Sequence, residues 1–227
     1  MPTMNHNLKF YDHLLQFSLF QGLSRAELLQ MAGNTKFGFL KLPSGKTVVR
    51  EGDICSQLFF LISGKLTVTT QSDAHTYSVT ESLSSPWLLQ LEVLFGASTR
   101  FTCSASTATE VHFITLAKDE VMRLLDDFLI IRLNLLNILS TLAQRRSRQP
   151  WRRTPADVRQ RITRFLIDHC VYPAGAKDVA ILMRDLAFEL NTSRLEVSNA
   201  LNDMQREGLL HLHRGHIEIP SLERLLM

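Results

Sequence analysis

Apolar and polar positions alternate with different periods in different parts of the chain. From residue 36 to about residue 116, short β-rich runs such as "QLFFLI", "KLTVTT" and "EVHFITL" are separated by turn signals such as "PSG", "EGD" and "SGK". This spacing is typical of an all-β barrel or jelly roll. Before it, "SLFQGLSRAELLQMA" predicts a short helix that begins at a capping box of Ser24 and Glu27.

A long helix is predicted after the β region. No glycine or proline interrupts residues 118–146, and apolar residues recur there at spacings of four and three. Such a heptad stripe is typical of a seam between two chains, although a helix packed on its own β domain uses the same pattern. We expect a dimer interface, which comprises Leu124, Phe128, Ile131, Leu135, Ile138 and Leu142.

The last third of the chain changes pattern again. After the basic segment "RRSRQPWRRTP", the runs "ADVRQRITRFLIDHCV", "MRDLAFEL" and "SRLEVSNALNDMQREGLL" predict three helices, and "LLHLHRGHIEIP" predicts a hairpin around Arg214 and Gly215. Three helices and a two-stranded wing make a winged helix. The predicted fold is α+β, with a jelly-roll-like β-roll at residues 1–117, a dimerisation helix at 118–148 and a winged helix-turn-helix at 149–227.

Composition and charge narrow the class of protein. The chain is 45% hydrophobic, and its three cysteines form no C-x-x-C pair. The start "MPTMNHNLKF" lacks the layout of a signal peptide, and the most apolar segment is too short for a bilayer. We therefore expect a cytoplasmic protein without a membrane span. Residues 145–227 carry 14 Lys and Arg against 10 Asp and Glu, which favours an acidic partner for this region.

The stretch "NTSRLEVSNAL" supplies the candidate chemistry. In a helix-turn-helix, the second helix lies in the major groove and presents residues near its N-terminus to base edges. Arginine pairs with guanine, asparagine with adenine, and glutamate accepts from cytosine N4, whereas a merely solvated helix face has the same composition. Apolar contacts are expected from Leu195, Val197, Ala200 and Leu201, although not all four can share one face. The outward residues are Arg194, Glu196, Ser198, Asn199 and Asn202.

The sequence resembles the Crp/Fnr superfamily of bacterial transcription regulators. "DLAFELNTSRLEVSNALNDMQREGLL" is similar to the helix-turn-helix of that family, and "LPSGKTVVREGDICSQLFFLISGKLTV" is similar to its effector domain. The hallmark residues of the latter are Gly45, Glu51, Gly52, Asp53 and Gly64. The resemblance implies a non-enzymatic homodimer that binds specific double-stranded DNA and contacts RNA polymerase.

The resemblance also implies roles for individual residues. Arg194 would read guanine and Ser193 would anchor the backbone, whereas Thr192, His213 and Arg214 would contact phosphates. Members of the family that recognise TGTGA-type half-sites carry a glutamate directly after the arginine. Here that place holds Leu195, and the glutamate follows at Glu196. The target sequence, the regulated genes and the choice between activation and repression stay open.

The effector is not identified by the sequence. Cyclic-nucleotide-binding members of the family carry a G-E-hydrophobic motif and an R-[ST]-A motif, but here Gln90-Leu91 and Phe101-Thr102 stand at those places. Arg100 is displaced by one residue, which turns a strand side chain to the opposite face. These differences argue against cyclic AMP. They leave open another effector or none, with a shifted pocket of Glu92, Arg100, Thr102 and Cys103.

Other classes of site fit less well. Three scattered cysteines cannot supply the four thiolates of an iron–sulfur cluster within one subunit, while haem ligation through His75 or Cys55 stays open. "HLHRGHIE" fits a cupin-type metal box, but too few residues follow it to complete a barrel. We expect no metal and no enzymatic activity. The remaining alternative is a dimeric small-molecule-binding scaffold that does not bind DNA.

Overall fold

The computed structural model describes residues 10–226 of the chain. Residues 1–9 and residue 227, which the predicted first and last domains include, lie outside the described residues. Residues 10–15 are helical. The further α-helices are α1 (Arg25–Asn34), α2 (Lys118–Asp127), α3 (Leu129–Arg148), α4 (Val158–Asp168), α5 (Met183–Glu189) and α6 (Arg194–Arg206). The strands are β1 (Phe37–Leu42), β2 (Thr47–Val49), β3 (Gln57–Ser63), β4 (Lys65–Gln71), β5 (Ser78–Ser84), β6 (Trp87–Leu88), β7 (Ser104–Thr107), β8 (Val111–Ala117), β9 (Lys177–Ala180), β10 (His211–His213) and β11 (His216–Ile219).

Strands β1–β8 form a β-roll from two antiparallel layers. One sheet has the order β1-β8-β3-β6, and the other contains β5-β4-β7-β2. Alternate residues of facing strands, including Phe60, Leu66 and Phe113, bury their side chains in one core. At the turn between β3 and β4, Gly64 has φ +94°, and a Cβ there would lie 2.3 Å from the carbonyl oxygen of Glu110.

The predicted long helix is two helices that meet at Phe128, whose backbone is extended. The structure corrects the dimer-seam assignment for four of its six residues. Leu124, Phe128, Ile131 and Leu135 are buried in the core of their own β-roll, and Ile138 packs against that core. Leu142 is half-buried. The alternative that the helix packs on its own domain therefore holds for the four buried residues, while the assignment of Ile138 and Leu142 to a dimer seam stays a prediction. A second apolar stripe of α3 is exposed instead and comprises Leu129, Leu133 and Leu136.

Helices α4, α5 and α6 pack around a separate core with β9–β11. Ile162, Leu201 and Met204 are fully buried in it. Strand β9 pairs with β11 of the wing on one side and with β5 of the β-roll on the other. A seven-stranded sheet of order β10-β11-β9-β5-β4-β7-β2 therefore runs through both domains. Within residues 10–226, every helix falls short of the length and apolarity that crossing a bilayer requires.

Candidate nucleic-acid interface

Helix α6 begins with a capping box at the turn of the helix-turn-helix. The Ser193 hydroxyl oxygen accepts from the Glu196 backbone N–H at 3.2 Å, and the Glu196 carboxylate accepts from the Ser193 N–H at 3.1 Å. The preceding Asn191 takes a left-handed conformation with φ +48°, which asparagine tolerates better than most residues. This local chemistry sets the position of the first turn of α6, where Arg194 stands.

The structure corrects the role of Glu196. Its carboxylate also accepts from the Thr192 hydroxyl at 2.7 Å and the Ser193 hydroxyl at 2.8 Å. The Thr192 hydroxyl, followed by the hydroxyl and N–H of Ser193, lowers the pKa of Glu196 to about 2. Although it is exposed, this carboxylate is engaged by the cap and does not face outward as a free acceptor for cytosine.

The two faces of α6 differ in chemistry. Val197, Leu201 and Met204 follow one another at spacings of four and three and are buried. Arg194, Asn199 and Asn202 are exposed, and Ser198 is half-buried and accepts from the Asn202 amide at 3.4 Å. Leu195 is 70% exposed, so the prediction that it packs on the domain is wrong. The outward face therefore combines an arginine, two amides and an apolar side chain.

Two arginines of α4 form hydrogen bonds to the segments that flank α6. The sequence pattern did not predict this role. Arg161 donates to the carbonyl oxygens of Leu190 at 3.1 Å and Ala156 at 3.3 Å, which joins the turn to the linker of residues 149–157. Arg159 donates to both carboxylate oxygens of Glu207 at 2.6 Å, which joins α4 to the end of α6. Their signal in the sequence was only positive charge, which does not distinguish an internal donor from a phosphate ligand.

The wing presents basic residues to solvent. Arg214 is exposed at the tip between β10 and β11, where Gly215 has φ +84°. His213 stacks on His216 with ring centroids 4.5 Å apart, and its Nε2 lies 3.4 Å from a carboxylate oxygen of Glu218. Among residues 10–226, no three His, Cys, Asp or Glu side chains are grouped so that they could hold a metal ion.

The candidate effector pocket is occupied by contacts within the chain. Gln90 has φ +36°, and its side chain accepts from the Thr102 N–H at 3.1 Å and donates to the Thr102 hydroxyl at 2.6 Å. Arg100 is exposed and donates to the Gly52 carbonyl oxygen at 2.7 Å. Leu91, at the place of the family's glutamate, is buried. The groups that would hold a ribose and a cyclic phosphate are therefore absent from those places or engaged elsewhere.

The other two predicted pocket residues also have separate surroundings. Glu92 is half-buried, with a carboxylate oxygen 3.8 Å from the guanidinium of Arg146 at the end of α3. Cys103 is buried, and burial raises the pKa of its thiol to about 12. It is accordingly a protonated, small apolar group at neutral pH. Glu92, Arg100 and Thr102 thus each contact a different partner, and Cys103 lies in the β-roll core.

A β-roll, a long helical segment and a winged helix with an exposed polar face together have the architecture of a DNA-binding regulator. Residues 39–128 match the family model of the cyclic nucleotide-binding domain, and residues 160–227 match that of the Crp-like helix-turn-helix domain. Together these models cover more than half of the chain. The chain belongs to the Crp/Fnr superfamily of DNA-binding transcription regulators. The resemblance and the predicted fold class are thereby confirmed.

Three similar proteins show the extent of the match. The CRP-like cAMP-activated global transcriptional regulator of Mycobacterium tuberculosis is 25% identical over 219 residues, which cover 93% of this chain and 96% of that protein. The catabolite activator protein of Thermus thermophilus is 21% identical with a TM-score of 0.53, covering 92% of this chain and 97% of its own. The sensor domain of DNR from Pseudomonas aeruginosa is 20% identical with a TM-score of 0.54, covering 64% of this chain and 96% of its own. The two structures show the shared fold.

Proposed function

We propose that the protein is a homodimer that reads two DNA half-sites, one with helix α6 of each protomer. The observation that carries this proposal is the outward face of α6. Its cap holds Arg194 at the first turn, while the buried opposite face anchors the helix. Arg194 would pair with guanine, Asn199 and Asn202 with adenine, and Leu195 would contact a thymine methyl group.

Contacts to phosphates would position the protein without reading bases. Arg214 and His213 are exposed on the wing and would supply such contacts. The hydroxyl groups of Thr192 and Ser193 donate to the Glu196 carboxylate, so they would have to release it before they could bind a phosphate. Ser198 is half-buried, so its hydroxyl would position Asn202 through their shared hydrogen bond.

The second apolar stripe of α3 supports dimerisation. Leu129, Leu133 and Leu136 are exposed at spacings of four and three, as expected for a seam with a second copy of the helix. A two-fold axis along this seam would present two winged helices to half-sites about 34 Å apart, which is one helical turn of DNA.

We further propose that cyclic AMP is not the effector. The M. tuberculosis relative is named as cAMP-activated. In this chain Leu91 is buried, and Gln90 is hydrogen-bonded to Thr102. An effector in the shifted pocket would have to draw Arg100 from Gly52 and Thr102 from Gln90. Another small molecule, or regulation without an effector, fits these contacts better.

The remaining parts of the proposal follow from the family. A regulator of this class acts in the cytoplasm together with RNA polymerase and without enzymatic turnover. A cell lysate depleted of nucleic acid would test the polymerase contact, since the tagged protein should retain RNA polymerase on a promoter duplex and not on an unrelated duplex.

Fluorescence anisotropy on duplexes selected from a random library tests the DNA-binding proposal. Arg194→Ala should lose roughly 1–3 kcal/mol of discrimination at one base pair. Arg214→Ala should lower the affinity for all duplexes evenly and reduce the slope of log affinity against log salt concentration by about 1. Added cyclic AMP should change neither. Unaltered selectivity of Arg194→Ala would refute the assignment of the reading helix. Failure to bind any duplex at low salt would favour the scaffold alternative.

A further inference from the structure

The two domains are joined by a ladder of strand pairs in addition to the linker. Strands β5 and β9 are antiparallel, with Val79 opposite Val179 and Glu81 opposite Lys177. Val79 is buried in the core of the winged helix although it belongs to a strand of the β-roll. We call residues 78–81 and 177–180 the interdomain ladder. It gives the winged helix a defined orientation, because backbone pairing fixes both the register and the direction of a strand.

A buried ion pair lies at the end of the interdomain ladder. The Glu81 carboxylate is 3.0 Å from the Lys177 ammonium group, and their side chains are 1% and 0% exposed. Glu81 also accepts from the backbone N–H groups of Val171 at 2.6 Å and Tyr172 at 3.2 Å, and Lys177 donates to the Ala174 carbonyl oxygen at 2.7 Å. A buried pair with these additional partners is sensitive to removal of one member, which leaves the other charge uncompensated.

Aromatic contacts flank the interdomain ladder on both sides. The Tyr77 hydroxyl lies 3.0 Å from His169 Nε2, and its ring centroid lies 5.4 Å from that of Phe165 in α4. Beyond the ion pair, the rings of Trp87 and Tyr172 meet edge to face at 6.1 Å. Tyr77 and Trp87 of the β-roll therefore contact the winged helix at two further points. The interdomain ladder is thus part of a continuous interface between the domains.

The docked arrangement leaves the reading surface open. Arg194, Leu195 and Asn199 on α6 and Arg214 on the wing are exposed while the ladder is formed. The contact therefore orients the winged helix without covering its DNA-binding face. Two winged helices with a fixed orientation lose less freedom when they bind two half-sites together, because that ordering is already complete before binding.

We propose that Glu81 and Lys177 are positioning residues for DNA binding, which preorganise the winged helix for a site with two half-sites. This inference rests on the proposed function. Removing one charge opens the interdomain ladder and leaves each winged helix free to bind one half-site. The loss then appears only when both protomers must bind at once.

Four variants test this inference by their affinity for a duplex with two half-sites and for a duplex with one. Glu81→Gln and Lys177→Met should each weaken binding to two half-sites at least about tenfold and leave binding to one half-site unchanged. The double variant should recover most of that loss, since it leaves no unpaired charge. Lys41→Met, which removes the exposed 2.9 Å ion pair with Glu110 on the β-roll, is the matched control and should change neither.

Hydrogen exchange of the unaltered protein gives a measurement that does not depend on the folding of a variant. The amides of residues 78–81 and 177–180 should remain protected when the two-half-site duplex binds. Loss of their protection on binding, unchanged affinity of both single variants, or tighter binding by them would overturn the inference. If the unaltered protein binds no duplex, the proposed function itself has failed, which is a different result.

Discussion

Replacing Leu133 with alanine should weaken association of the two protomers of the proposed homodimer and leave each of them folded. Leu133 lies in the middle of the exposed stripe of α3, and its side chain is 45% exposed. Complete burial of a leucine contributes about 1.5–3 kcal/mol. Burying the remaining exposed part of Leu133 in the proposed interface would therefore contribute roughly 1 kcal/mol per protomer to the free energy of association. A two-fold seam doubles this to roughly 2 kcal/mol, which is about a 30-fold weaker association.

Leu135→Ala is the matched control, since it makes the same chemical change two residues further along α3. Leu135 is 6% exposed and packs in the β-roll core. This substitution should lower the free energy of unfolding by about 2–5 kcal/mol and leave the association constant unchanged. Sedimentation equilibrium over a series of protein concentrations measures the association, and urea unfolding measures the stability.

The opposite pattern would refute this reasoning. If Leu135→Ala stays folded and becomes monomeric while Leu133→Ala remains a dimer, the stripe that contains Leu135 is the seam. The helix would then have to leave its own β-roll when two chains meet.

Three further predictions concern single groups. The pKa of Glu196 is about 2 in the folded protein, below that of a free carboxyl group. Its carboxylate therefore stabilises the fold fully above about pH 4.3, and this contribution should be lost as the pH falls towards 2. Acid unfolding followed by circular dichroism should show a smaller loss of stability over that pH range for Glu196→Gln. The Cys103 thiol, with its pKa of about 12, should react with iodoacetamide at pH 8 far more slowly in the native protein than in urea, as measured by mass spectrometry. Gly64→Ala should cost about 1–3 kcal/mol in urea unfolding, since both its φ and the nearby Glu110 carbonyl disfavour a Cβ; full stability of this variant would contradict the turn geometry.

Periodicity predicted helical structure at residues 118–146 but neither the break at Phe128 nor the partner of each face. Leu133 and Leu135 both belong to apolar stripes with spacings of four and three, and the sequence contains no local signal that ranks them. The ranking depends on how much apolar surface the β-roll offers, which arises only after folding. The choice of Leu133 and its neighbours for the proposed dimer seam therefore rests on which stripe the β-roll buries.

The start of the reading helix was more predictable, because capping is local. Ser193 was identified as a cap from its place before an amphipathic run, and the structure places it there. For Glu196, the sequence did not distinguish a capping role from a contact with a base. Its charge suits both a base edge and a capping box, and only the distances to Thr192 and Ser193 decide between them.

The pairing of β5 with β9 had no signal in the sequence. Alternation of apolar and polar residues predicts that Val79 lies in a strand, but it does not predict which distant strand edge lies beside it. Lys177 was similarly one of many basic residues in the last third of the chain. Its burial against Glu81 becomes apparent only when both domains are seen together.

The positions of the two tryptophans make the protein its own optical reporter. Trp151 is 89% exposed in the linker, so its emission is expected at long wavelength in every state of the folded protein. Trp87 is half-buried beside Tyr172, at the contact between the two domains. With Trp151 replaced by phenylalanine, a red shift of the remaining fluorescence would follow the separation of the domains in real time, without an attached dye.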